Sequence, residues 1–331
     1  MKLSLLLPAK YDERKWTIAR QMGIKYAITK ATPKLSGKEA PYDFNALQSI
    51  SNEFLDAGFQ LYGLEGDQFD MSAIKLGLSN RDEMIEKFQQ MLRNMGQLRI
   101  PLLCYNFMAT IGWFRTNVNV LERGGAVTNE FNLEEVKNEK MQERSQISEK
   151  ALWNNLFYFL DAVLPVAENY GIQMALHPDD PPISPLKGVG RILTNVAAFD
   201  KLIQKYPSSS NGITFCQATF KLMEEDIKSM SQKWIQDNRI FFLHFRDVIG
   251  SKYHFRETFH DNGPTPMDDM LKHYNDCGFD GPIRPDHAPA MYGETQSNFA
   301  SGTTAGYETS GKIFAIGYIK GICDSHKIKY E

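Results

Sequence analysis

Short apolar runs bounded by turn residues alternate along the chain with longer amphipathic stretches, the signature of repeated βα units. Eight runs read as strands: LSLLL (3–7), KYAIT (25–29), QLYGLE (60–65), PLLCYNF (101–107), IQMALH (172–177), GITFC (212–216), IFFLHF (240–245) and GPIRPD (281–286). Between them the apolar spacing changes to three and four. In RDEMIEKFQQMLRNMG (81–96), Met84, Phe88, Met91, Leu92 and Met95 share one helical face, and Gly96 is placed to cap the helix. The same period predicts helices over 44–57, 147–169, 196–206, 223–236, 265–276 and 310–325. The stretch 108–145 departs from it and reads as a long, charged, irregular insertion after the fourth strand. Eight βα units close most naturally into a (β/α)8 TIM barrel, an α/β fold. One domain then spans 1–331, with its active site at the C-terminal ends of the strands.

Composition narrows the class of function. A net charge of −3, with 37 basic against 40 acidic residues, offers no cationic face for nucleic acid. The apolar run at the N-terminus stops at Pro8, and no stretch approaches the ~20 apolar residues of a membrane span. A cytoplasmic enzyme with no membrane and no nucleic-acid partner is the expectation. Cys104, Cys216, Cys277 and Cys323 are widely spaced without a CxxC, which argues against a disulfide framework, and Cys104 is expected in the core.

The ends of four consecutive strands carry the candidate chemistry. His177 closes the fifth strand, Cys216 the sixth, His244 lies near the end of the seventh, and Asp286 ends the eighth, with His287 beside it. Singly, each has a plainer reading as a core or turn residue. Together they deliver imidazole, thiolate and carboxylate to one rim, a donor set suited to Mn, Fe, Co or Zn rather than to Mg or Ca. In HPDDPP (177–182), Asp179 is a candidate for binding a polyol. Asn106 in CYNFM is a candidate for a substrate hydroxyl. Among Arg115, Arg123, Arg191 and Arg246, Arg246 is best situated to fork onto a substrate carboxylate.

IKLGLSNRDEMIEKFQQMLRNMG, CYNFM, RGGAV, ALHPDDPP, GITFC, HFRDV, RPDH and AGYETSGKIFAIGYIKG, in this order from about residue 74 to 323, resemble the mannonate dehydratase family. The resemblance implies a xylose-isomerase-like TIM barrel holding a divalent ion, usually Mn2+, on His177, Cys216, His244 and Asp286. It implies dehydration of D-mannonate to 2-keto-3-deoxy-D-gluconate, with His287 and Tyr307 as the acid–base pair and His260 among the substrate contacts. The implied partners are a small sugar-acid substrate and, for assembly, a homodimer. The chain also departs from the pattern. Its first 70 residues lack the family's Trp-Tyr-Gly-Pro strand and paired histidines, and QATFKLM follows Cys216 where a small Thr-Gly-Ser run is expected. In FRETFHDNGPTPM, Arg256, Pro264 and Pro266 replace a histidine and two acids, and the segment between His287 and Tyr307 is longer. A retained metal layer with altered walls predicts a relative acting on another substrate. The rival readings are a sugar isomerase or epimerase on the same barrel, and a non-catalytic sugar-binding barrel.

Overall fold

The structure is a computed structural model that describes residues 1–223, 226–294 and 306–331, with Arg144 described by its backbone alone. Twelve strands are found among these residues: β1 (Lys2–Leu6), β2 (Tyr26–Thr29), β3 (Gln60–Glu65), β4 (Leu102–Tyr105), β5 (Asn117–Leu121), β6 (Val127–Asn132), β7 (Gln173–Leu176), β8 (Asn211–Cys216), β9 (Ile240–Phe245), β10 (Val248–Ser251), β11 (His254–Glu257) and β12 (Pro282–Pro285). Eight of them form a closed parallel barrel in the order β1-β12-β9-β8-β7-β4-β3-β2. These are the eight runs read from the sequence, with ends moved by one or two residues. β1 closes the ring on β12, Lys2 opposite Pro282 and Leu3 opposite Ile283.

Strands buried on both faces are nearly continuous apolar runs, and β8 and β9 are buried at every position. One face packs Ile28, Leu102, Cys104, Ala175 and Phe242 together. Cys104 is therefore buried as expected, although it also borders the chamber described below. The other face meets the helices, where Leu103, Met174, Ile213, Leu243 and Ile283 join one large core.

Helix prediction holds with one instructive difference. The helix starting at Arg81 runs to Gln97, through Gly96 rather than ending on it. Gly96 is required by close approach: a Cβ there would lie 2.7 Å from the Cβ of Tyr170 and 2.8 Å from its carbonyl oxygen. Of the helix predicted over 223–236, Ile227–Gln236 is observed, capped by Asp226, and 224–225 lie outside the described residues.

The insertion is more regular than the sequence suggested. It supplies β5 and β6, which join β10 and β11 in an antiparallel sheet of order β10-β11-β6-β5. β5 and β6 arise after β4, and β10 and β11 after β9, so the sheet is built at the C-terminal rim of the barrel. Val127 of β6 bridges Ala290, just beyond β12. Its underside packs Phe131, Val248 and Phe255 on Ala218 and Leu222. The last two belong to a short helix, Gln217–Leu222, formed by the QATFKL run after Cys216. No helix among the described residues is long and apolar enough to cross a membrane.

Candidate active site

His177, Cys216 and His244 converge, with one donor atom from each lying within 4.8 Å of the others. Strand register produces this, since Cys216 on β8 is the direct partner of His244 on β9. Asp286 joins from the end of β12, its Oδ2 lying 4.0 Å from Cys216 Sγ and 3.6 Å from His244 Nδ1. His177 donates from Nδ1 to the Pro178 carbonyl at 2.7 Å, which leaves Nε2 as the free lone pair. Burial pulls its pKa down and keeps the ring neutral, as a ligand imidazole must be. His244 is 1% exposed, yet among the described residues neither ring nitrogen has a hydrogen-bond partner, Nδ1 lying 3.6 Å from Asp286 and Nε2 3.6 Å from Glu65. Buried polar atoms are rarely left unpaired, and an unpaired imidazole nitrogen beside a thiol and a carboxylate fits a cation ligand. Thr219 Oγ1 donates to Cys216 Sγ at 3.2 Å.

The surroundings of this cluster are charged. Arg246 Nε reaches Asp286 Oδ2 at 2.8 Å, and Arg284 Nη2 reaches Asp286 Oδ1 at 2.9 Å. Arg284 also forks onto Glu65, at the end of β3. Arg246 Nη2 and Arg115 Nη1 each bind Asp180 at 2.6 Å, and Arg115 Nη2 binds Glu257 at 2.6 Å. Burial pushes these carboxyls upward, but their neighbours win. Arg284 and His244 hold Glu65 down at about 2, and His287, Arg246 and Arg115 hold Glu257 at about 2. Arg115 and Arg246 lower Asp180, while His287 and Arg284 lead in lowering Asp286 well below the usual range. Four ionised carboxylates thus face three guanidiniums. The donor set itself, two imidazoles, a thiol and a carboxylate, suits a divalent ion.

His287 stands beside the cluster as part of a relay. Its Nδ1 lies 2.8 Å from the Glu257 carboxylate, and its Nε2 lies 2.7 Å from the Tyr307 hydroxyl. An ionised Glu257 can only accept, so Nδ1 carries a proton, and on the neutral ring Nε2 accepts from Tyr307. Burial raises the Tyr307 pKa well above its ordinary value and keeps the phenol protonated. Trp113 from the insertion stands edge-on to His287, with ring centroids 5.2 Å apart.

These groups border a small inner chamber of about 110 Å3, lined by Glu65, Cys104, Asn106, Trp113, His177, Asp180, His244, Asp286, His287 and Tyr307 among others. An outer cavity of about 810 Å3 shares Glu65, Asn106, Trp113 and Tyr307 with it and extends over Leu5–Ala9, Lys30, Phe69, Lys75 and Lys312.

The structure corrects three of the substrate-contact expectations. Asp179 is turned into its own loop, its Oδ2 accepting from the Leu193 amide at 2.8 Å, and Asp180 lines the chamber instead. Arg246 stands behind Asp286, its contacts going to Asp286, Asp180 and Thr219 rather than to either cavity. His260 is buried with Nε2 donating to the Phe245 carbonyl at 2.7 Å and borders neither space. Asn106 does line both, its Oδ1 already accepting from Lys75 and from the Met108 amide. In the altered stretch after β9, Arg256 faces Glu122 at 3.5 Å and Pro266 caps the following helix, so these two replacements do not line the chamber, although Glu257 of the same stretch bonds His287. The lengthened segment before Tyr307 falls largely on 295–305, outside the described residues. Sequence reasoning missed Glu65, Glu257, Arg284, Lys75, Lys312 and Trp113. The RPD of the eighth strand was the available signal for Arg284, and nothing local marked the others.

Comparison with known proteins identifies the family. The family profile described as D-mannonate dehydratase (UxuA) matches residues 12–145 and 132–331. The chain belongs to this family. A mannonate dehydratase of Streptococcus pneumoniae is 33% identical over 280 residues, covering 76% of this chain and 75% of that protein. Mannonate dehydratase 2 of Halalkalibacterium halodurans is 36% identical over 249 residues, covering 67% of this chain and 72% of that protein. The crystal structure of mannonate dehydratase from Streptococcus suis superposes with a TM-score of 0.88 at 28% identity, covering 98% of this chain and 95% of that one. A xylose isomerase domain protein of Planctomyces limnophilus, at 10% identity and TM-score 0.60, shares the barrel fold alone. This member of the mannonate dehydratase family therefore shares the fold of that solved relative over nearly all of its length.

Proposed function

We propose that this chain is a metal-dependent hydro-lyase that converts D-mannonate to 2-keto-3-deoxy-D-gluconate. The observation that carries the reading is the adjacency of a four-donor cluster, of which His177, His244 and Asp286 line the inner chamber, and a protonated Tyr307 bonded to His287 in the same chamber. A divalent ion on His177, Cys216, His244 and Asp286, manganese by the family resemblance, would supply positive charge against the substrate carboxylate and a hydroxyl, making the C2 proton more acidic.

The chain's own residues supply the rest. The C2–H bond breaks, its electron pair forms the C2–C3 double bond, and the C3 hydroxyl leaves with a proton as water. The resulting enol then tautomerises to the 2-keto acid. His287 Nε2 and the Tyr307 hydroxyl divide proton removal and leaving-group protonation between them. Glu257 holds His287 in the tautomer that exposes Nε2 and stabilises the ring when it gains a proton. Trp113 lines the chamber edge-on to His287 and takes up space there that water would otherwise fill. Arg256, Pro264 and Pro266 do not line the chamber, which favours D-mannonate over the altered substrate that those replacements suggested.

The test is direct: manganese-loaded protein is offered D-mannonate, other hexonates and keto sugars side by side. D-Mannonate should have the highest kcat/KM, and its product should be a 2-keto-3-deoxy acid. Turnover of a keto sugar with none of any hexonate would replace this reading with an isomerase or epimerase.

A further inference from the structure

Deepening the dehydratase reading, on which this inference rests, we infer that Lys312 is the residue that anchors the substrate's carboxylate at the mouth of the chamber. Lys312 sits in the first turns of the helix Thr309–His326 and lines the outer cavity beside Tyr307, Glu65 and Asn106. It is 9% exposed, and its Nζ lies 5.6 Å from the centre of the Tyr307 ring. Of its three N–H donors, one goes to the Pro285 carbonyl at 3.2 Å. Among the described residues no carboxylate lies within ion-pair distance of it.

The contrast with its neighbours identifies its role. Lys75, the other buried lysine of the cavity, is neutralised by Asp67 at 2.7 Å and bonded to Asn106 at 3.0 Å. Arg115, Arg246 and Arg284 are each tied to carboxylates of the chain. Lys15 and Lys30 also line the outer cavity but are half-buried and exposed respectively, so among the described residues Lys312 is the buried cation of the cavity left with unspent donors. A buried ammonium without a counter-ion is costly, and burial with the nearby Arg284 pulls its pKa down to about 7. An entering carboxylate would neutralise it and accept its free N–H groups. The location also suits the reaction, because a carboxylate held between Lys312 and the inner chamber leaves C2 and C3 directed toward His287 and Tyr307.

The experiment compares Lys312→Met, close in length but uncharged, and Lys312→Arg with the parent protein. Each is loaded with manganese and assayed for KM and kcat on D-mannonate, and for binding of D-mannonate and of uncharged D-mannonamide by calorimetry. The expected result is a KM for D-mannonate raised by about tenfold or more in Lys312→Met, the worth of a charge-assisted hydrogen bond, with a smaller change in kcat. The parent's preference for D-mannonate over the amide should vanish in Lys312→Met and survive in Lys312→Arg. A purely structural lysine would weaken acid and amide alike, and that result, or an unchanged KM, overturns the inference while leaving the dehydratase reading intact. Should Lys312→Met not fold, Lys312→Gln serves in the same comparison. If the parent does not turn over D-mannonate at all, the proposed function fails by itself. Calorimetry with D-gluconate then decides on Lys312: weaker binding by Lys312→Met supports the anchor, and equal binding overturns it.

Discussion

Asp286 and His287 are adjacent in sequence and have different partners. Asp286 is held by Arg246 and Arg284 on the metal side, and His287 by Glu257 and Tyr307 on the proton-transfer side. His287→Asn should therefore keep its manganese content and lower kcat by roughly 10²–10⁴-fold, the usual worth of a general acid–base group. Metal analysis beside kinetics checks this, and loss of the ion would make His287 a ligand instead. His260 gives a second prediction, through stability. Burial, aided by Lys312, lowers its pKa from 6.5 to about 4. The unfolded chain thus takes up this proton at higher pH than the folded one. The stability is fully present above pH 6.5 and is lost as the pH falls toward 4, by on the order of 3 kcal/mol in total. Denaturant titrations across that window should show the loss, and His260→Gln, which can still donate to Phe245, should flatten it. An identical acid limb in the variant would remove His260 as the cause. At this scale His177, Cys216, His244 and Asp286 were legible because strand ends are few and point to one rim. Asp179 was chosen over Asp180 because adjacent carboxylates in a loop carry no periodicity to tell them apart, and only the bond to Leu193 separates them.

Among the elements, all eight barrel strands were readable from apolar runs between turn residues, but the sheet above them was not. β5 is largely exposed, so its NVNVL offers no buried face, and β6 finds its second partner, β11, more than a hundred residues later. That pairing brings Glu257 to His287 and Arg115 to Asp180, which is why Glu257, one of the three members of the hydrogen-bonded relay, could not be found from the rim alone. Gly96 shows the complementary failure, in which a local rule was outweighed by packing. Its helix continues because another element, at Tyr170, needs the space a side chain would fill. In an open helix Gly→Ala would stabilise by about 1 kcal/mol. Here Gly96→Ala should instead destabilise by roughly 1–2 kcal/mol, since the methyl would meet backbone as well as side chain and overpacking costs more than the propensity gained. The denaturant midpoint checks the sign, and an increase would show that Tyr170 moves freely.

At the scale of the whole molecule, the four donors proposed for the ion come from the ends of four neighbouring staves of a closed ring, β7, β8, β9 and β12. Unfolding separates them, because nothing in the sequence keeps residues 177, 216, 244 and 286 together once the barrel opens. An ion bound to the folded form alone should therefore stabilise the entire chain. Chelator-treated protein should melt at a lower temperature, and adding Mn2+ should raise Tm steadily with its concentration. The rise should reach roughly 6 °C when the free ion is about 1,000 times Kd, given a gain of about 4 kcal/mol spread over a chain of this length. Cys216→Ser and His244→Ala should remain folded and lose most of that rise, because each removes a donor while the other strands still hold the ring. The melting series separates binding from catalysis, since it needs no substrate. A rise in Tm undiminished in both variants would mean that the ion binds elsewhere, and the four-strand assignment would fall with it.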